Sequence, residues 1–160
     1  MRKIVSIAFI LTSLFSSGQN KKENVIPDNC DTCIYDLVAI QNAPEFPGGD
    51  KGLIKFLSTN TKFPNAAKDL GLEGKVFVSF IINEEGEITK IELFKGVKVP
   101  ETIKGKKIKR KFHKKYQEAA DEINKEAIRV VKAMPKWKPG MQNDKLVKVK
   151  FILPFVFKLT

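Results

Sequence analysis

At 160 residues the chain is long enough for one modest domain with some length left over for extensions. With 42% hydrophobic and 29% charged residues, it falls in the class of folded soluble proteins rather than disordered or membrane-embedded chains. The net charge of +11 is local: Lys104, Lys106, Lys107, Lys109, Arg110, Lys111, Lys114 and Lys115 form one run, and with Arg2 and Lys3 removed as well the remainder is nearly neutral.

Residues 1–18 resemble an export signal, with Arg2 and Lys3, an apolar run from Ile4 to Phe15, and small residues Ser16-Ser17-Gly18. As a helix that run spans about 18 Å, short of the ~30 Å hydrocarbon core. The reading is therefore a signal peptide cut before Gln19, giving a soluble exported protein, with inner-membrane anchoring as the lesser reading. Residues 19–42 read as a flexible N-terminal arm, polar and aperiodic through Asp36, although Ile34–Ile40 is compatible with a short strand. The arm holds both cysteines, as Cys30-Asp31-Thr32-Cys33. A redox dithiol normally sits beside cations or at a helix N-terminus, whereas Asp28, Asp31 and Asp36 surround this pair. A closed zinc site needs about four ligands. A disulfide of an oxidising compartment, within or between chains, is the reading favoured for Cys30 and Cys33.

Pro44, Pro47, Gly48 and Gly49 predict a turn. Asp50 is then expected to cap a short helix through about Leu57, with Leu53, Ile54 and Leu57 at helical spacing. Pro64 suits the first turn of a second short helix, with Ala66, Ala67 and Leu70 inward and Gly71 past its end. Val76, Val78, Phe80 and Ile82 alternate with Lys75, Phe77, Ser79 and Ile81, which predicts a strand. Asn83-Glu84-Glu85-Gly86 predicts a hairpin turn, and Glu87–Lys95 the returning strand. Residues of about 97–116 read as a basic insertion, a solvated mobile loop. From about Tyr116 to Met134 the stripe Ala120, Ile123, Ala127, Val130, Val131 and Met134 predicts a helix that Pro135 stops. Trp137 is expected to plug the core between helix and sheet.

The last stretch organises the rest. Val147, Val149, Phe151, Leu153, Phe155 and Phe157 alternate with Lys148, Lys150, Ile152, Pro154, Val156 and Lys158, which predicts a long half-buried strand. Pro154 cannot donate to a ladder on its own side, so this strand is expected at a sheet border. A border near a chain end offers backbone groups to another chain. The expected fold is α+β, a two-layer sandwich of helices on a three-stranded antiparallel sheet. The last strand would lie beside one hairpin strand with its other edge free. There is no catalytic constellation: His113 lies among lysines, Gly-x-Ser-x-Gly is absent, and Glu84, Glu85 and Glu87 read as solubilising charges on a turn. The reading is a non-enzyme without metal or cofactor.

Five pieces in order resemble one family. They are Phe63-Pro64-x-x-Ala67 with Gly71-x-x-Gly74-x-Val76-x-Val78-x-Phe80; the turn Asn83–Gly86; Glu126-Ala127-Ile128-Arg129-Val130-Val131; Pro135-x-Trp137-x-Pro139-Gly140; and Val147-x-Val149-x-Phe151-x-Leu153-Pro154-x-x-Phe157. Together, from Phe63 to Leu159, they resemble the C-terminal domain of the energy transducer TonB. Upstream, Pro44-x-Phe46-Pro47-Gly48-Gly49 resembles an extension common in one branch of TonB-like proteins. This places the domain at 43–160.

The resemblance implies a periplasmic module that captures an extended segment of an outer-membrane transporter, or of another envelope protein, by strand addition in energy-coupled transport. It implies a peptide-binding strand at Val147, Lys148, Val149, Lys150, Phe151, Ile152 and Leu153, with Phe63 and Pro64 as partner contacts. Three features depart from typical transducers: the start is signal-like, a long Pro-rich spacer is lacking, and there is the basic insertion of roughly 20 residues. Within that insertion Lys106, Lys107, Lys109, Arg110 and Lys111 form a patch suited to anionic lipid or an acidic surface. Nucleic acid is not expected, since aromatics are not interleaved to stack bases. The alternatives are a dimerising structural envelope protein that pairs the same edge in two copies, and an exported thiol-redox protein using Cys30 and Cys33.

Overall fold

In the computed structural model, which describes residues 34–36, 40–103, 106–107 and 109–159, the predicted last strand is the longest one. The signal peptide and both cysteines lie outside the described residues. Strand β7 (Lys145–Phe157) buries Val149, Leu153, Phe155 and Phe157 while Lys150, Ile152, Pro154 and Val156 face solvent. That is the period-2 pattern expected of a sheet with one face on a core. Strand β2 (Gly74–Ile82) runs antiparallel to it in unbroken register, from Gly74 opposite Phe157 to Ile82 opposite Val149. Val76, Val78, Phe80 and Ile82 are fully buried.

Strand β3 (Ile88–Lys95) returns from β2 through the Asn83–Gly86 turn. Asn83 Oδ1 accepts the amides of Glu85 and Glu87 at 3.1 and 2.7 Å, and Gly86 supplies φ 78°. The apolar spacing of β3 is irregular because Ile88 and Ile91 are three apart. A register shift opposite Ser79–Ile81, with Lys90 at φ 45°, absorbs the extra residue.

The helices lie on one face. Helix α1 (Gly49–Asn60) begins two residues earlier and ends three later than expected. Gly48, at φ 81°, takes the cap position instead of Asp50, which sits in the first turn. Leu53, Phe56 and Leu57 pack against the core, but Ile54 is exposed, so Phe56 takes the inward place expected of it. Helix α2 (Asn65–Asp69) buries Ala67, and Gly71 at φ 61° ends it.

The segment after β3 departs further from expectation. Instead of a loop through about 116, a two-strand hairpin forms from β4 (Thr102–Ile103) and β5 (Lys106–Lys107). Helix α3 (Arg110–Lys132) then starts six residues before Tyr116. Tyr116 explains the extension: it is buried and its hydroxyl donates to the Leu70 carbonyl at 3.1 Å, which gives the first turns a packed anchor. Farther on, Ala119, Ala120, Ile123, Ala127, Val130 and Val131 are buried against the sheet. Trp137 is 5% exposed, ringed by Phe46, Phe80 and Phe151 at centroid distances of 5.3, 6.0 and 5.2 Å. It is the expected plug.

The α+β class with helices on an antiparallel sheet holds, but the sheet is larger than three strands. Its order is β1-β7-β2-β3, where β1 is Ile34–Asp36, and β6 (Gly140–Gln142) also pairs with the beginning of β7. The trio β3-β2-β7 is arranged as expected. The correction concerns the outer side of β7. There β1 lies parallel to Lys148–Lys150, while β6 pairs with Lys145–Val147 beyond the end of the β2 ladder, by a hairpin whose turn residues Asn143 and Asp144 take φ 49° and 59°. Unpaired border groups are satisfied by whatever strand-forming segment the chain can bring to them. All described residues fall in one unit, Asp31–Thr160.

Candidate functional site

The pairing divides the outer side of β7 in two. Along Lys148–Lys150 it is paired with β1, while β6 pairs with Lys145–Val147 beyond the end of the β2 ladder. Along Phe151–Phe157 no strand pairs with it among the described residues, while β2 holds the other side throughout. The ladder to β2 continues past Pro154, opposite Phe77, without a register shift. A residue without an N–H fits there only if its nitrogen points to the unpaired side. By alternation Ile152 and Val156 then turn their amides and carbonyls the same way.

Beside this open stretch lies a cleft of about 300 Å³ lined by Leu57, Ser58 and Thr61 near the α1 C-terminus, by Phe63, and by Pro154–Lys158. Phe63 stands edge-on to Phe157 with centroids 5.8 Å apart. Its position is set by a polar clasp between helices. Arg129 Nε and Nη2 donate to the two carboxylate oxygens of Glu126 at 2.8 Å each, and Nη2 also donates to the Asn60 carbonyl at 2.7 Å. Glu126 Oε1 accepts the Lys62 amide at 2.8 Å. The chain from the end of α1 into Phe63-Pro64 is thereby fixed to α3.

The hydrogen bonds from Arg129 hold the Glu126 carboxyl below the ordinary carboxylate range, and the pair raises Arg129 in turn. Glu87 is lowered by its hydrogen bond from Lys136, at 2.8 Å, and Lys136 is raised by the same contact. These are ion-pair effects on the surface, not a general acid poised beside a base. Among the described residues, no group of three or more His, Cys, Asp and Glu is placed to hold a metal ion.

The residues singled out from sequence are therefore split. Val147 lies opposite Gly140 of β6, and Lys148, Val149 and Lys150 lie opposite Ile34, Tyr35 and Asp36 of β1. Lys148 also pairs with Glu84 at 3.5 Å. Phe151, Ile152 and Leu153 fall on the open stretch, and Phe63 with the neighbouring Pro64 lies at its far end. Sequence reasoning missed Leu57, Ser58, Thr61 and the clasp, because nothing local connects α1 to a strand almost a hundred residues away. In the basic patch, Lys107, Lys109, Arg110 and Lys111 are exposed, with Arg110 and Lys111 in the first turn of α3. Cys30 and Cys33 lie outside the described residues.

A long strand next to a hairpin, backed by helices and open along half of one border, makes a small α+β module. The model of the Gram-negative bacterial TonB protein C-terminal matches residues 59–103, which span α2, β2, β3 and β4. The resemblance read from the sequence is to the same TonB C-terminal domain. Solved structures of the Helicobacter pylori TonB C-terminal domain are similar: residues 179–285 at 21% identity, covering 68% of this chain and 78% of that one with a TM-score of 0.35. Residues 194–285 match at 20% identity, covering 68% and 90% with a TM-score of 0.38. No curated protein matches. No helix among the described residues is long and apolar enough to cross a membrane.

Proposed function

We propose that this protein is a periplasmic TonB-like binding module that captures an extended segment of an outer-membrane transporter, or of another envelope protein, by strand addition. The observation that carries this reading is the unpaired side of β7 along Phe151–Phe157 beside the Phe63 cleft. Backbone groups of an added strand would pair with those of Ile152 and Val156, giving affinity. Leu57, Phe63 and the α1 end would receive side chains on the helix face, giving specificity. The site binds and does not react. Relative to the sequence reading, the centre of contact moves from Val147–Leu153 toward Phe151–Phe157.

Titrating the ¹⁵N-labelled protein with peptides from transporter N-termini tests the proposal. Amide shifts should concentrate on Phe151–Lys158 and Phe63. Shifts confined to another face, or no binding by any such peptide, would remove strand capture. A second contact, with anionic lipid, is favoured by one observation: Phe112 is 51% exposed between Arg110, Lys111 and Lys114 at the start of α3, where no acid offsets the helix dipole. Co-sedimentation with phosphatidylglycerol vesicles, lost in Phe112→Ser, tests it; equal sedimentation of both proteins refutes it.

A further inference from the structure

We infer that β1 is a resident placeholder on the capture border, and that a partner strand binds in full only by exchanging with it. The inference rests on the strand-capture reading and concerns how that site is regulated.

The open stretch alone is a poor receptor. It is seven residues long, and Pro154 in its middle has no N–H to offer. The adjoining Lys148–Lys150 has complete backbone groups on the same side, but β1 occupies them. A strand running the length of the border meets β1 end to end. Either capture stops at Phe151 or β1 leaves.

Three features make β1 exchangeable. It has three residues, below the usual strand length of about 5–6. Its pairing is parallel, the geometry that is slightly weaker per residue. Finally, the chain is pinned just after it: Asn42 and Met141 exchange amide-to-carbonyl bonds at 3.1 and 2.9 Å, and Glu45 and Lys138 at 3.0 and 2.8 Å. Departure of β1 is therefore a local opening that can stop at Asn42, where the pin holds the chain. The same pin keeps the released segment close, so it competes as an intramolecular ligand.

The register also indicates what replaces it. Asp36 occupies the register position opposite Lys150. Lys148 and Lys150 stand on the face that farther along carries Ile152 and Val156. The incoming strand is accordingly extended and acidic opposite the two lysines, with apolar residues toward Ile152 and Val156.

The test compares the full chain with Tyr35→Pro, which removes the central N–H of β1, and with Asp36→Lys, which places like charge opposite Lys150. The probe is a ten-residue capped peptide that as a strand carries two glutamates and then two valines along one face, with lysines in place of the glutamates as control. A placeholder docked roughly 90–99% of the time weakens apparent affinity by about 10- to 100-fold. Both variants should bind the glutamate peptide tighter by about that factor, and amide shifts should extend from Phe151–Phe157 into Lys148–Lys150. Equal affinity for parent and variants, with shifts confined to Phe151–Phe157, overturns the placeholder while leaving strand capture standing. Absence of binding by all three proteins overturns both. Equal binding of the lysine peptide overturns the charge preference.

Discussion

Replacing Arg129 by lysine keeps the charge and removes the fork. In the structure one guanidinium spans both oxygens of Glu126 and the carbonyl of Asn60, at 2.7–2.8 Å. An ammonium can still meet Glu126 three residues away, but it cannot span carboxylate and carbonyl together in that plane. The lost contact is a charge-assisted hydrogen bond, about 1.5–3 kcal/mol in a buried setting. Arg129 is half exposed, with 49% of its side chain open. Solvent screening therefore reduces the expected cost to about 1–2 kcal/mol. For a domain of this size that lowers Tm by roughly 3–8 °C. Differential scanning calorimetry reads the stability, and hydrogen exchange of the Lys62 amide reads the loop, since that amide is held by the carboxylate that Arg129 orients. If Arg129→Lys melts within about 1 °C of the parent and Lys62 stays protected, the clasp is not what fixes the approach to Phe63.

Three more outcomes follow from the same contacts. Because Glu126 titrates lower when folded than when unfolded, its contribution is complete above the ordinary carboxylate range and is lost as pH falls through the folded value. Glu126→Gln should thus be less stable than the parent at pH 7, with the gap closing below about pH 4 in urea melts; a constant gap would refute this. In Gly86→Ala the new methyl carbon would be driven into the Trp137 carbonyl at a backbone φ of 78°, so a loss of about 1–3 kcal/mol in urea unfolding is expected. An unchanged midpoint would mean that the turn relaxes freely. Phe63→Ala removes the edge contact with Phe157 and a wall of the cleft. Affinity for a captured peptide should fall by about 1–2 kcal/mol in calorimetric titration; a lowered Tm with unchanged affinity would leave Phe63 only the role of starting α2.

The proposed strand addition on β7 turns on which backbone groups remain free, and this is where sequence and structure part. The alternation from Val147 to Phe157 by itself determined a long one-sided strand, as the stripe Ala120–Ile123–Ala127–Val130–Val131 determined a helix and Asn83–Gly86 a tight turn. In each case neighbours in the chain are neighbours in space, so the period of the side chains carries the answer. Tertiary structure decided the rest. Only pairing across more than a hundred residues puts Ile34–Asp36 against Lys148–Lys150, and only the contact of Tyr116 with Leu70 draws the basic run into α3. Likewise, only the clasp of Arg129, Glu126 and Asn60 brings Phe63 to the mouth of a cleft. Each depends on groups far apart in the chain, whose partners only the fold selects.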